Sequence, residues 1–240
     1  MRAAVIIPAY QAARSVGPVV AELVQIWPDA DALFVIDDGS DDDTANAAQA
    51  AGAQVVQHPH NRGKGAALRT GLHTALAAGF DAAVVVDADG QHPPAEALRL
   101  RGCCADPAAL VLGVRDLQAA RAPRANQLSN GFSNLAVSGF AWQRLADTQC
   151  GLRRYPVEAV LALGTRDDGF AFEAEVLIRA VAAAIDIVQV PVRVIYPPEE
   201  ERTTHFHVAR DPARIVRRVL STSAQTRLAW LRSRLRGRKR

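Results

Sequence analysis

Residues 82–91 read AAVVVDADGQ, an apolar run that ends in two carboxylates, Asp87 and Asp89, followed by Gly90 and Gln91. A short β-branched run bounded by turn formers is a buried strand, and charges at its end need a ligand or a counter-charge to offset the loss of water. The same pattern recurs through the first half of the chain. AAVIIP (3–8) precedes a helical segment at 15–26, ALFVIDD (32–38) one at 41–51, AQVVQH (53–58) one at 63–78, and the quoted run one at 94–101, with ALVLGV (109–114) after it. Connections of that length carry crossover helices, so these strands are expected to lie parallel in one sheet. The fold class is therefore α/β, with ligands bound beyond the carboxyl ends of the strands. That rim holds Tyr10, Asp37 and Asp38, residues 61–65, and residues 87–91. Farther on, 121–143 reads as partly helical, and DTQCGLRRY (147–155), FAFEAEVLIRA (170–180) and DIVQVPVRVIY (186–196) read as strand, helix and extended chain.

Composition narrows the class. The 240 residues are 49% hydrophobic, enough for one principal core, and no low-complexity linker divides them. Three cysteines without metal-ligand spacing argue against a disulfide framework or a zinc site and fit a reducing cytoplasm. Pro8 cuts the first apolar run short of a signal sequence, and no later run is long enough to span a bilayer. Charge is divided unevenly: residues 210–240 carry eleven Lys or Arg against Asp211 alone, a balance of +10, which leaves −7 of the total +3 on residues 1–209. Such a tail seeks an anionic surface.

The rim residues have specific chemical uses. Strand alternation would put Asp87 and Asp89 on one side, where hard carboxylate oxygens suit Mg²⁺ or Mn²⁺ bridged to phosphate. Gly90 would admit a bulky ligand and Gln91 would orient it. A calcium EF-hand is excluded by register, because His92 stands where its glycine belongs and no Glu closes the loop. NRGKG (61–65) offers backbone amides and the Lys64 ammonium at a helix start, an anion site, yet it is not a Walker loop. No GxGxxG follows a strand, so a dinucleotide cofactor has no support. Ser40 and Asp43 have the spacing of a capping box, with Asp41 and Asp42 placed against the helix dipole, which reserves Asp37 and Asp38 for a ligand.

PAY (8–10), DDGS (37–40), NRGKGAALRTG (61–71), DADGQ (87–91), DTQCGLRRY (147–155), FAFEAE (170–175) and ERTTHF (201–206) together resemble family 2 glycosyltransferases over about the first 210 positions. Within that family the nearest likeness is to dolichyl-phosphate and polyprenyl-phosphate sugar synthases. The resemblance implies a GT-A fold with a mostly parallel central sheet, a nucleotide-sugar donor, a divalent metal at Asp89 with Asp87 near it, and inversion at the anomeric carbon. Carried over residue by residue, it implies that Pro8, Ala9 and Tyr10 line the base pocket and that Asp37 and Asp38 read base and ribose. Lys64 contacts the donor, and Gln91 meets the transferred sugar or the acceptor phosphate. Arg115 of the G-x-R at 113–115 and Arg124 approach the acceptor phosphate, while Arg202 closes over the diphosphate. The family's usual Asn-Glu-Glu after PAY is replaced by Gln11, Ala12 and Ala13, which removes an acidic donor contact.

These residues lead to an expected hexosyltransferase that uses a UDP- or GDP-linked sugar and a polyprenyl phosphate at the inner, cytoplasmic face of the membrane. Residues 1–209 would form the GT-A domain and residues 210–240 a basic amphipathic helix on the lipid surface, with Trp230 among its leucines. No transmembrane segment and no nucleic-acid partner is expected. An anionic acceptor needs no strong base, whereas transfer to a hydroxyl of a glycan or other lipid, the alternative, would need Asp147 or Glu173 as base. Of these, Glu173 is expected at the site and one of Glu173 and Glu175 on a solvated side. His205 and His207 lack a third metal ligand. Two rivals are less favoured: a HAD-type phosphatase, whose DxDG strand normally opens its core domain, and a non-catalytic scaffold, against which both aspartates argue.

Overall fold

The protein is described here from a computed structural model covering residues 1–120, 122–141, 143–196, 218 and 220–222. Seven strands, β1 (Ala3–Ala9), β2 (Leu33–Asp37), β3 (Gln54–Gln57), β4 (Ala82–Val85), β5 (Leu110–Arg115), β6 (Arg153–Pro156) and β7 (Ile187–Val192), form one sheet in the order β3-β2-β1-β4-β6-β5-β7. The helices are α1 (Val16–Ile26), α2 (Thr44–Ala50), α3 (Lys64–Ala77), α4 (Pro94–Gly102), α5 (Arg124–Ala141), α6 (Val157–Ala162) and α7 (Phe172–Ala182). The apolar runs of β1, β2 and β4 are buried on both faces, which is why they read as unbroken rather than alternating. α1 buries Val16, Val19, Val20 and Leu23 as one helical stripe, and α3 lays Ala67, Leu68, Gly71, Leu72 and Ala75 against the sheet. The chain reverses its order between β1 and β4, the switch point where an open α/β sheet leaves a crevice at its carboxyl end.

The five apolar runs of the first half all point the same way, as expected, but β6 enters between β4 and β5 antiparallel to both. The reason is the route of residues 116–152. They leave β5 at the rim and stay there, so the chain returns down the sheet rather than up it. The register pairs Arg153 with Val85 and Leu112, which brings residues 147–151 level with the Asp87 turn.

Three local expectations need correction. β4 ends at Val85, so Asp87 and Asp89 lie in a turn beyond the strand, and strand alternation does not decide which way they point. α2 starts at Thr44, not Asp41, and the capping box does not form. Asp42 accepts the Thr44 and Ala13 N–H groups at 3.1 Å instead, while Ser40 Oγ accepts from Gln11 N at 2.9 Å. Glu175 does not face solvent: it is fully buried, with its oxygens taken by the N–H groups of Arg166 and Asp167 and by Arg179. The 210–240 tail and Arg202, His205 and His207 lie outside the described residues, apart from 218 and 220–222.

Candidate active site

The rim at the switch point gathers its charges from five elements. Lys64, the first residue of α3, places Nζ 2.7 Å from Asp87 Oδ1 and 3.1 Å from Oε1 of Glu173 in the first turn of α7. Burial works against the charge of each partner. The facing carboxylates nevertheless raise the Lys64 pKa, and the ammonium lowers that of Asp87, so the pair is held ionised. Asp89 has no such partner among the described residues. Its Oδ1 accepts the Gln91 N–H at 2.9 Å, and burial followed by the neighbouring Asp87 carboxylate pushes its pKa up to about 6.

This turn is shaped from behind by a residue the motif reading passed over. A β-carbon at Gly151 would stand 2.9 Å from Asp87 Cγ and closer still to Oδ2, so only glycine lets the return strand press on that carboxylate. Two residues on, the fully buried Arg153 donates to the carbonyls of Cys150 and Thr148 at 2.8 Å and of Glu173 at 2.9 Å. One guanidinium thereby locks the 148–151 loop to α7. The signal was present in LRRY, where two arginines opening a buried strand demand internal acceptors.

Asp38 and NRGKG form a unit of another kind. Asp38 is buried; it accepts the N–H groups of Arg62 at 3.0 Å and Gly63 at 2.6 Å, and it meets His58 Nδ1 at 2.6 Å, whose Nε2 reaches Thr70 Oγ1 at 2.9 Å. The amides expected to bind a ligand anion here are thus filled in part by the protein's own carboxylate. The glycines serve packing as well: Gly63 has φ +101, and a β-carbon at Gly65 would lie 2.7 Å from Phe172 Cβ. Asp37 accepts from Ser40 N at 3.0 Å and Gln57 at 3.2 Å. Pro8 and Ala9 are buried within β1, and Tyr10 follows half-buried at its end.

On the other side of the turn, Arg115 ends β5 and grips Asp147 through Nε at 2.7 Å, Nη2 at 2.9 Å and its backbone N–H at 3.1 Å. Asp147 is 0% exposed, so the residue considered as a base is a sealed counter-ion of the arginine. Arg115 lines a cavity of about 860 Å³ whose wall includes Arg99, Arg193, Gln127, Asn130 and Asn134. Buried Glu96 joins two of these, with Arg99 Nε at 3.0 Å and Arg193 Nε at 3.5 Å. Arg99 and Arg193 were not singled out from the sequence. Arg124 begins α5, exposed and outside this lining.

The aspartate turn suits a hard divalent cation. Among the described residues Asp89 has no cationic partner within hydrogen-bonding range, and it carries an excess of negative charge that a cation would relieve. No cluster of three or more His, Cys, Asp or Glu able to hold a metal occurs among the described residues, so further ligands would come from substrate and water.

Known proteins agree with this architecture. The chain is 28% identical over 203 residues to the undecaprenyl-phosphate mannosyltransferase of Micrococcus luteus, covering 80% of this chain and 83% of that one. It is 28% identical over 215 residues to the UDP-N-acetylglucosamine–dolichyl-phosphate N-acetylglucosaminyltransferase of Methanococcus voltae, covering 80% and 84%. The glucosyl-3-phosphoglycerate synthase of Mycobacterium tuberculosis, solved with Mn²⁺, UDP and glucosyl-3-phosphoglycerate, shares the fold with a TM-score of 0.67 at 22% identity, covering 93% and 80%. Residues 4–159, from the first strand past the buried arginines of β6, match the model of glycosyl transferase family 2, and the chain belongs to that family of glycosyltransferases.

Proposed function

We propose that this glycosyltransferase moves a hexose from a UDP- or GDP-linked sugar to a polyprenyl phosphate, with inversion, at the cytoplasmic face of the membrane. The observation that carries the choice of acceptor is the Arg115–Asp147 pair. A hydroxyl acceptor needs a free base beside the sugar. Asp147 is sealed against Arg115 and Glu173 faces the Lys64 ammonium, so neither is free, whereas an acceptor phosphate is already anionic with a second pKa near ~6. The names of the relatives, which act on undecaprenyl and dolichyl phosphates, support the same reading.

In this scheme the donor lies across the rim from Pro8, Ala9 and Tyr10 to the Asp87 turn, with Asp37 and Asp38 shaping the floor under base and ribose. Mg²⁺ or Mn²⁺ held by Asp89 and Asp87 would supply positive charge to the diphosphate. Lys64 adds an ammonium on the same side, and Arg202 is assigned the closing contact. The acceptor phosphate enters the cavity beside Arg115, where Arg99, Arg193 and the more distant Arg124 offset its charge as it approaches the acidic turn. One of its oxygens attacks the anomeric carbon from the side away from the diphosphate, guided by Gln91. The bond from that carbon to the diphosphate oxygen breaks, and the nucleoside diphosphate leaves with the electron pair. Residues 1–209 form the catalytic body, and the basic tail, 210–240, holds it to anionic lipid. No helix among the described residues is long and apolar enough to cross a membrane.

The test is a panel of nucleotide sugars with Mg²⁺ or Mn²⁺, offered polyprenyl phosphates and hydroxyl-bearing glycolipids in parallel, with the lipid product identified by mass. A sugar–phosphate–prenyl product is expected, and Glu173→Gln should keep more than a tenth of the turnover. Transfer only to hydroxyls, with a ~10²-fold or greater loss of turnover in Glu173→Gln, would replace this reading with the hydroxyl one.

A further inference from the structure

Helix α5 is turned inside out. Leu128, Phe132 and Leu135 are 75%, 62% and 74% exposed, while Asn130 and Ser133 are buried. At 100° per residue the three apolar side chains fall within an arc of about 60°. The buried positions Asn130, Ser133, Val137 and Ala141 lie on the opposite side. Most of the polar inner face is satisfied by the protein itself, while Asn130 Oδ1 is buried without a partner among the described residues. Asn134 donates to Ala146 O at 2.6 Å and accepts from Thr148 N at 2.7 Å, Ser133 meets Thr148 Oγ1 at 2.9 Å, and Ser138 accepts from Leu145 N at 2.9 Å. The inversion is therefore built into the fold, because the helix needs those polar groups to hold the loop that presents Asp147 to Arg115.

We propose that the outer face of α5 is a docking surface for an anionic lipid bilayer, into which Leu128, Phe132 and Leu135 insert. The inference rests on the polyprenyl phosphate reading above and adds the orientation of the enzyme on the membrane. Two observations favour a lipid surface over a protein partner. Residues 117–146 contain no acidic residue, and arginines bracket the stripe, with Arg124 exposed at its start and Arg144 exposed after its end. Basic residues flanking an apolar face match headgroups above and acyl chains below. The stripe is also continuous with the acceptor cavity, since Gln127, Asn130, Gly131 and Asn134 of the same helix line it. A bilayer on the outer face would deliver a prenyl phosphate headgroup to Arg115 without its chain leaving the lipid.

The attraction of a basic tail is screened at high salt, whereas apolar insertion is not, and this separates the two contacts. The full chain should bind vesicles of equal parts phosphatidylcholine and phosphatidylglycerol, and part of that binding should survive ~1 M salt, where the screening length is about 3 Å. In a combined Leu128→Ser, Phe132→Ser, Leu135→Ser variant the salt-resistant part should fall at least tenfold. UDP or GDP affinity and turnover on a short, water-soluble polyprenyl phosphate should stay within twofold. As a check independent of that variant's folding, Phe132→Trp should gain emission that brominated lipid quenches beyond the parent's response. Unchanged salt-resistant binding, or no added quenching, overturns the proposal. So does a parent dimer that the serine variant converts to monomer, which would assign the face to a second copy. If vesicle docking holds but no polyprenyl phosphate is glycosylated, the acceptor reading falls and the docking surface stands.

Discussion

Replacing Asp89 by asparagine should stabilise the metal-free protein at alkaline pH while abolishing transfer. Burial and the adjacent Asp87 carboxylate raise the Asp89 pKa from 3.8 to about 6. At about 1.36 kcal/mol per tenfold change in proton affinity, holding this group ionised costs the fold up to about 3 kcal/mol. Solvent at the half-buried turn cuts that to ~1–2 kcal/mol. The sign follows from proton binding. Between about pH 4 and pH 6 the folded state keeps a proton that the unfolded state releases, so stability falls as pH rises through that window. The full penalty applies above it, and none applies below about 3.8. Asparagine can still accept the Gln91 N–H and carries no charge, so it removes the penalty without opening the turn. Thermal unfolding in EDTA at pH 8 should show a gain of ~2–8 °C for Asp89→Asn, from about 2–4 °C per kcal/mol at this chain length. The gain should vanish near pH 4. A variant no more stable than the parent at pH 8, or a difference independent of pH, would refute the account of a carboxylate strained by its neighbours.

Three further outcomes are expected. Gly151→Ala drives a β-carbon into the Asp87 carboxylate, so transfer should drop at least tenfold while stability falls by an amount typical of overpacking, ~1–3 kcal/mol; kinetics beside denaturant melts read both. Arg153→Met strands the buried carbonyls of Thr148, Cys150 and Glu173, and at about 1–3 kcal/mol for each lost partner it should destabilise the fold by more than ~3 kcal/mol in urea melts. Deleting residues 223–240 removes most of the tail's positive charge, so vesicle binding at low salt should weaken at least tenfold in flotation assays while UDP or GDP affinity is kept.

The runs AAVIIP, ALFVIDD and AAVVVD contained most of the fold, because strands buried on both faces must be apolar throughout and the segments between them are long enough only for crossovers. The meeting of Asp87, Asp89 and Lys64 at one rim follows from the same parallel topology, since every such strand ends on one side of the sheet. What the sequence could not disclose is how that rim is closed. The antiparallel entry of β6 depends on residues 116–152 staying above the sheet, which no local periodicity encodes. Only that return sets Gly151 against Asp87 and Asp147 under Arg115. Read alone, Asp147 is a carboxylate able to serve as a base; in the fold its oxygens are held by a guanidinium, and water does not reach it. Asp38 gains partners in the same way: its carboxylate accepts the Arg62 and Gly63 N–H groups at the start of α3, which its place in the sequence does not show. A charged side chain's role is set by which opposite charge lies within a few ångströms, and partners 24 or 32 residues away along the chain are chosen by tertiary structure alone.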